Sequence, residues 1–264
     1  MTLHCAFIGF GKSTTRYHLP YVLHRKDRWQ VAHIYRRRAK PEEQAPQYSH
    51  IHFTSDLDEV LNDPLVKLVV VCTHADSHFE YAKKALEAGK NVLVEKPFTP
   101  TLEEAKNLFA LANSKGLTVT PYQNRRFDSC FLTTKKVIES GKLGELVEIE
   151  SHFDNYRPLA ETNPGGPQNG EFYGLGVHTL DQIISLFGRP DHVSYDLRSL
   201  RNKANPDDTF EAQLFYGDMK AIVKTSHLVQ IDYPKFIVHG HKGSFVKYGI
   251  DQQETSLKAN IMPG

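Results

Sequence analysis

Six short apolar runs, at residues 3–8, 30–35, 51–53, 67–72, 91–94 and 117–120, punctuate the first 122 residues of the chain. Polar stretches, most with a helical pattern, separate them. The run Lys67-Leu68-Val69-Val70-Val71-Cys72 lacks the alternation of a half-exposed strand, and continuous apolarity of this length belongs to strands buried on both faces. Helix starts fall between the runs. Ser55 stands as a cap ahead of Asp56, Asp58 and Glu59, and Ser77-x-x-Glu80 and Thr101-x-x-Glu104 are capping boxes. Gly89 and Gly116 mark helix ends. Repeated strand–helix units predict an α/β domain over residues 1–122, built on a doubly wound parallel sheet with right-handed crossovers.

The second half, residues 123–264, has a different texture. A helical stretch at 129–140 stops at Gly141, and another at 178–187 stops at Gly188 and Pro190. Around them lie strand-like runs at 146–153, 192–197, 210–215, 221–225 and 236–239, joined by tight polar turns. This predicts an α+β domain with a mainly antiparallel sheet and helices on one face. The uncovered face, with Tyr195, Phe215 and Tyr216 on its strands, is expected to be apolar and to pack against a second copy in a homodimer. Residues 156–172, rich in Pro, Gly and Asn, form a loop of the length usually reserved for function.

Composition narrows the field. Of 264 residues, 40% are hydrophobic and 24% charged, ordinary for a globular protein; 32 basic and 31 acidic residues leave a net charge of +1, without the basic excess of a nucleic-acid or membrane-surface binder. No apolar run reaches spanning length and no signal peptide follows Met1, so a cytoplasmic protein is expected. Three cysteines cannot build a disulfide framework, and Cys5 and Cys72, on apolar runs, are expected as buried free thiols. The fourteen histidines show no zinc-type spacing; His239-x-His241, in a predicted hairpin turn, reads as a solvated pair, and no metal is expected.

The chemistry begins at the first strand, which runs into Gly9-Phe10-Gly11-Lys12-Ser13-Thr14 and then a helix. Gly9 permits a tight turn and Gly11 lets a pyrophosphate approach the helix amino end. A triphosphate loop would need glycine where Ala6 stands, so a Rossmann dinucleotide site is the better match, although Thr14 replaces its third glycine. An NAD site places an acid at the end of the second strand; here stand Arg36, Arg37 and Arg38. Guanidinium groups bind phosphate bidentately, which predicts NADP(H) over NAD(H). A solvated basic turn is the competing reading.

Ala88 to Pro97, ending Glu95-Lys96-Pro97, closely resembles the most diagnostic motif of the glucose–fructose oxidoreductase / inositol dehydrogenase / MocA family. The Gly9-x-Gly11 turn, Thr73-His74-Ala75-Asp76-Ser77-His78, Asn124-Arg125-Arg126-Phe127 and Gly176-Val177-His178-Thr179-Leu180-Asp181 resemble other family segments in the family's order. The resemblance implies a two-domain enzyme moving hydride between nicotinamide and a carbon bearing a hydroxyl, usually of a sugar or cyclic polyol. It places Gly9, Gly11, Lys12, Ser13, Thr14, Arg36, Arg37, Thr73, His74, His78, Glu95 and Lys96 at the cofactor. Lys96 would bond the reacting oxygen and His178 exchange its proton, with Asn124, Tyr156 and Arg157 as further substrate contacts. An imidazole near neutrality suits that proton transfer, and an ammonium stabilises a developing alkoxide. The chain departs from the family at Gly174, where an Asp usually precedes the histidine by four residues; Asp181, Tyr156, Arg157 and Asn163 are candidate replacements. Family members also run longer, so the second domain is expected to lack its carboxyl end. A non-catalytic NADP(H)-binding protein with a degenerate substrate site is the rival reading.

Overall fold

The computed structural model describes residues 2–262, which fall into two compact units: residues up to Tyr122 together with the segment from Ser256, and Gln123–Thr255. The first unit carries β1 (Leu3–Ile8), α1 (Leu19–His24), β2 (Trp29–Tyr35), β3 (His52–Thr54), α2 (Leu57–Asn62), β4 (Val66–Val71), α3 (His78–Glu87), β5 (Asn91–Val94), α4 (Leu102–Ser114) and β6 (Val119–Pro121). All its strand pairs are parallel, in the order β3-β2-β1-β4-β5-β6. The order reverses between β1 and β4, and ligands of open α/β sheets bind outside the carboxyl ends of strands at such a reversal. Two apolar layers sandwich the sheet. Ala6, Ile8, Val69, Val71, Val92 and Val94 face one layer, and Cys5, Phe7, Val31, Ile34 and Val70 the other, which is why these runs do not alternate.

Local signals were partly displaced. Thr101 and Glu104 form the expected reciprocal capping box, each side chain accepting from the other's backbone N–H at 3.2 Å. The cap of α2 is Asp56, not Ser55: its carboxylate accepts from the Asp58 N–H at 2.9 Å. Ser77 does not form the expected box, because its hydroxyl instead turns back to Thr73 Oγ1 and the His74 carbonyl, both at 2.8 Å. Ahead of α1 the helix widens into a π-turn over Thr14–His18. Pro20 has no N–H to return to the preceding turn, and that loss accounts for the loosened ladder.

The second unit carries α5 (Ser129–Glu139), β7 (Leu146–His152), α6 (Val177–Phe187), β8 (His192–Arg198), β9 (Thr209–Tyr216), β10 (Met219–Ser226), β11 (Phe236–Gly240) and β12 (Gly243–Lys247). A last helix, α7 (Gln252–Lys258), follows. Strand order is β12-β11-β7-β10-β9-β8, antiparallel except for the parallel β7–β10 pair. Ile149, Ala221, Val223, Phe210, Ala212, Leu214, Phe236 and Val238 share one face and pack against Cys130 and Phe131 of α5 and Ile183 of α6.

The opposite face differs from expectation. Register places Glu148, Glu150, Lys220, Lys224, Glu211 and Gln213 there, laced by Lys220–Glu148 at 2.7 Å and Lys224–Glu211 at 3.2 Å. Of the three aromatics, only Phe215 lies on it, stacked on His192 with centroids 4.1 Å apart. Tyr195 and Tyr216 point to the helix-covered side, against Phe172 and Phe187. The open face is therefore mainly polar and ionic, with Ile222, Ile237 and Val246 set among the charges, since strand alternation turns most of the apolar residues to the other side. No helix among the described residues is long and apolar enough to cross a membrane.

Candidate functional site

A groove of about 820 Å³ opens at the carboxyl ends of β1, β2 and β4. Gly9, Gly11, Lys12, Ser13, Arg36, Arg37, Thr73 and His74 line it, joined by Arg38 and Lys40. Gly9 sits at φ +108°, and a methyl group there would lie 2.5 Å from the Cys72 carbonyl oxygen, so the turn admits only glycine. A methyl on Gly11 would meet nothing within 4 Å, leaving the backbone approachable from the groove. Thr14 does not line the groove: fully buried, it donates from its hydroxyl to the Gly9 carbonyl at 2.9 Å. It closes the turn by a hydrogen bond where the usual third glycine would do so by close packing. The exposed amides and cationic rim fit a dinucleotide phosphate.

At the end of β2 the arginines are not equivalent. Arg36 makes a bidentate pair with the buried Glu43, at 2.8 and 2.9 Å. That hydrogen-bonded pairing raises the guanidinium's pKa and lowers the carboxyl's. Glu43 also accepts from the Lys40 N–H at 2.8 Å, and Lys40 Nζ donates to the Phe10 carbonyl at 2.6 Å. Arg36 thus serves to fix the loop, which shifts the expected phosphate contact toward Arg37, Arg38 and Lys40. Lys40 and Glu43 escaped the sequence reading, although the acid three residues after Lys40 was the available signal.

Behind Lys96 lies a brace. Glu95, nearly buried, accepts from His18 Nε2 at 2.9 Å and from the Lys96 N–H at 3.1 Å, while the Tyr122 ring covers His18 at 4.2 Å. His78 is buried with Nδ1 2.8 Å from the Pro97 carbonyl and Nε2 3.1 Å from the Thr73 carbonyl. Among the described residues Glu95 and His78 are thus struts of the loops after β4 and β5, and neither lines the groove. Ligand atoms of His18, Cys72 and Glu95 lie within 4.8 Å of one another. Burial and then the Glu95 charge push the Cys72 thiol up to about 12, so this cluster suits a hydrogen-bonded core better than a metal requiring thiolate.

In the second unit His178 is buried in the first turn of α6, which follows a second π-turn, Phe172–Gly176. Asp181 is held by Arg126 through two bonds of 2.7 Å, so it is committed elsewhere than to orienting His178. Asn124 opens a short turn over Asn124–Phe127, and Tyr156 is exposed. The Arg157 N–H donates to the His227 carbonyl at 2.8 Å, and Tyr156 bridges Leu228. Asn163 uses its N–H on Asn205 Oδ1 at 2.7 Å, which ties the loop to the connection between β8 and β9. Glu171 and His227 in this unit, and His18 behind Lys96 in the first, are polar groups that the sequence did not single out, because each pairs with a residue distant in the chain.

Residues 3–123 match the NAD-binding Rossmann fold of an oxidoreductase family, and residues 135–264 match that family's C-terminal alpha/beta domain. The uncharacterized oxidoreductase YhhX of Escherichia coli is 88% identical over the whole chain, which covers 76% of that relative. The chain belongs to the glucose–fructose oxidoreductase / inositol dehydrogenase / MocA family. A crystal structure of the probable oxidoreductase yhhX superposes with a TM-score of 0.97 over the full chain and 76% of its own length. The scyllo-inositol 2-dehydrogenase (NADP(+)) IolW of Bacillus subtilis is 35% identical over 99% of this chain and 73% of its own. Like these relatives, the chain is an oxidoreductase with a nucleotide-binding Rossmann fold, and it spans about three quarters of their length.

Proposed function

We propose that the protein is an NADP(H)-dependent dehydrogenase or reductase acting on the CH–OH group of a sugar, cyclic polyol or related hydroxy/keto compound. The observation that carries the cofactor half is the end of the groove beyond β2, where Arg37, Arg38 and Lys40 line the wall and Glu43 is spent on Arg36, while the acid that lines the groove, Asp76, comes from the loop after β4. An NAD site would set a free carboxylate there. The name of the NADP-dependent relative IolW, and its inositol substrate, support the same reading.

Bound nicotinamide supplies or accepts the hydride. Lys96 bonds the reacting oxygen and stabilises its developing negative charge, and Glu95, fixed by His18, holds the Lys96 backbone for that task. His178 exchanges the hydroxyl proton. A cytoplasmic homodimer, joined through the open face of the second sheet, completes the proposal.

A screen of sugars and polyols with NADP⁺, and of ketones with NADPH, tests it. In the substrate found, Lys96→Met should abolish turnover while NADPH still binds. His178→Ala should slow it by roughly 10²–10⁴-fold, the usual contribution of general acid–base help. Turnover unaffected by Lys96→Met would show that the active site lies elsewhere.

A further inference from the structure

Position 174 has no side chain, but the space beside it is taken. A methyl group on Gly174 would lie 3.1 Å from Glu171 Oε2. Residues 174 and 178 are about one helical turn apart, so a side chain at 174 would stand on the same face as His178. A carboxylate reaches that ground from three residues earlier.

Glu171 is held from two directions. Its N–H donates to the Asp207 carbonyl at 2.9 Å, and the next N–H, of Phe172, donates to Asp207 Oδ2 at 2.8 Å. On the side-chain end, Oε1 lies 3.3 Å from His227 Nε2, with the imidazole 5% and the carboxylate 28% exposed. Burial, then Arg201 and Arg157, lower the His227 pKa, which favours the neutral ring donating through Nε2 to the carboxylate. Nδ1 is then a bare acceptor, buried and without a hydrogen-bond partner among the described residues. The backbone bond from Arg157 to His227 and the bridge between Tyr156 and Leu228 bring the loop to the same place. The result is a partly exposed carboxylate, steadied by a buried imidazole and suited to accept from a hydroxyl donor.

We propose that Glu171 is the substrate-binding carboxylate of this chain, admitted by Gly174 and positioned by His227, and that it accepts a hydrogen bond from a hydroxyl neighbouring the reacting carbon of a polyol. The proposal rests on the reading of His178 as the proton-exchanging group. A polyol with adjacent hydroxyls is the substrate class it selects, and a compound with one isolated hydroxyl should be a poor substrate.

The test uses the best substrate from the sugar and polyol screen. Glu171→Gln keeps an oxygen for His227 but loses the charge; KM should rise on the order of ten- to a hundredfold, the value of a charged hydrogen bond, with NADPH affinity unchanged. Moving the carboxylate back, in Glu171→Ala with Gly174→Asp, should recover most of the KM lost in Glu171→Ala alone. A parent-like KM in Glu171→Gln, or no recovery in the double variant, overturns the proposal while leaving Lys96 and His178 standing. A parent that turns over nothing in the screen overturns both readings. Thermal melts of Glu171→Gln and the double variant, matching the parent, confirm that a KM change reports the site.

Discussion

Single residues here are assigned by what already engages them. Arg36, Arg37 and Arg38 are alike in sequence, yet Arg36 alone is neutralised by a buried carboxylate. Arg37→Ala should therefore weaken NADPH binding by about 1.5–3 kcal/mol and leave NADH nearly unchanged. Arg36→Ala should instead cost up to about 3 kcal/mol in stability, by stranding Glu43, and weaken both cofactors alike. Titration of each variant with the two reduced cofactors checks this, and equal selectivity loss in both would overturn the division of labour. A second residue-scale case is Lys235, buried over the Phe153 and Phe236 rings at 4.7 and 5.2 Å. Burial lowers its pKa from 10.5 to about 8 despite nearby Asp128, itself pushed up to about 6 by burial. Below about pH 8 the lysine is protonated in both folded and unfolded chains, and its desolvation cost is fully present. Between there and the unfolded value the folded chain sheds the proton first, so stability rises with pH. Relative to Lys235→Met, the parent should gain about 1–2 kcal/mol between pH 8 and 9.5 in chemical denaturation; a flat difference would refute the shift.

Elements were legible wherever one local signal decided them. The apolar runs gave the six parallel strands because burial on both faces removes polar alternation, and the Thr101 box and the Gly188 stop are short-range chemistry. What sequence concealed is what distant partners decide. The Ser77 hydroxyl was drawn to Thr73 and His74, and neither α7 nor β12 had a strong period to announce it. The site was legible in its motif residues but not in their supports: His18 and Glu95 are 77 positions apart, and Glu171 and His227 are separated in the chain by α6 and the strands β8, β9 and β10. Both candidate regions are entered through a π-turn, Thr14–His18 and Phe172–Gly176. An extra residue in a helical turn re-aims the side chains that follow, and such turns collect at functional sites. In each case the residue altered from the family's pattern, Thr14 or Gly174, lies within that turn.

At the scale of the whole molecule, the face that would join two copies sets how strongly they associate. An apolar sheet face would make a dimer indifferent to salt, but the observed face is crossed by Glu148–Lys220 and Glu211–Lys224 pairs, with Glu150 beside His152. Burying it against its own copy requires every one of those charges to keep or exchange a partner, since a buried charge left alone costs several kcal/mol. Two copies related by a two-fold axis can meet that demand, because each acidic column can face the other's basic one. The association would then be ionic, steered and held by pairs that mobile ions screen with a Debye length of about 10 Å at 0.1 M salt and about 3 Å at 1 M. Light scattering at micromolar concentration should accordingly show a dimer at low salt and a mass falling toward the monomer near 1 M. Lys220→Glu, which sets like charges side by side on the face, should give monomer at both. A dimer that survives high salt and the Lys220→Glu change would place the interface on another surface, and the exposed Val193, Tyr195 and Leu197 of the edge strand β8 would be the first to examine.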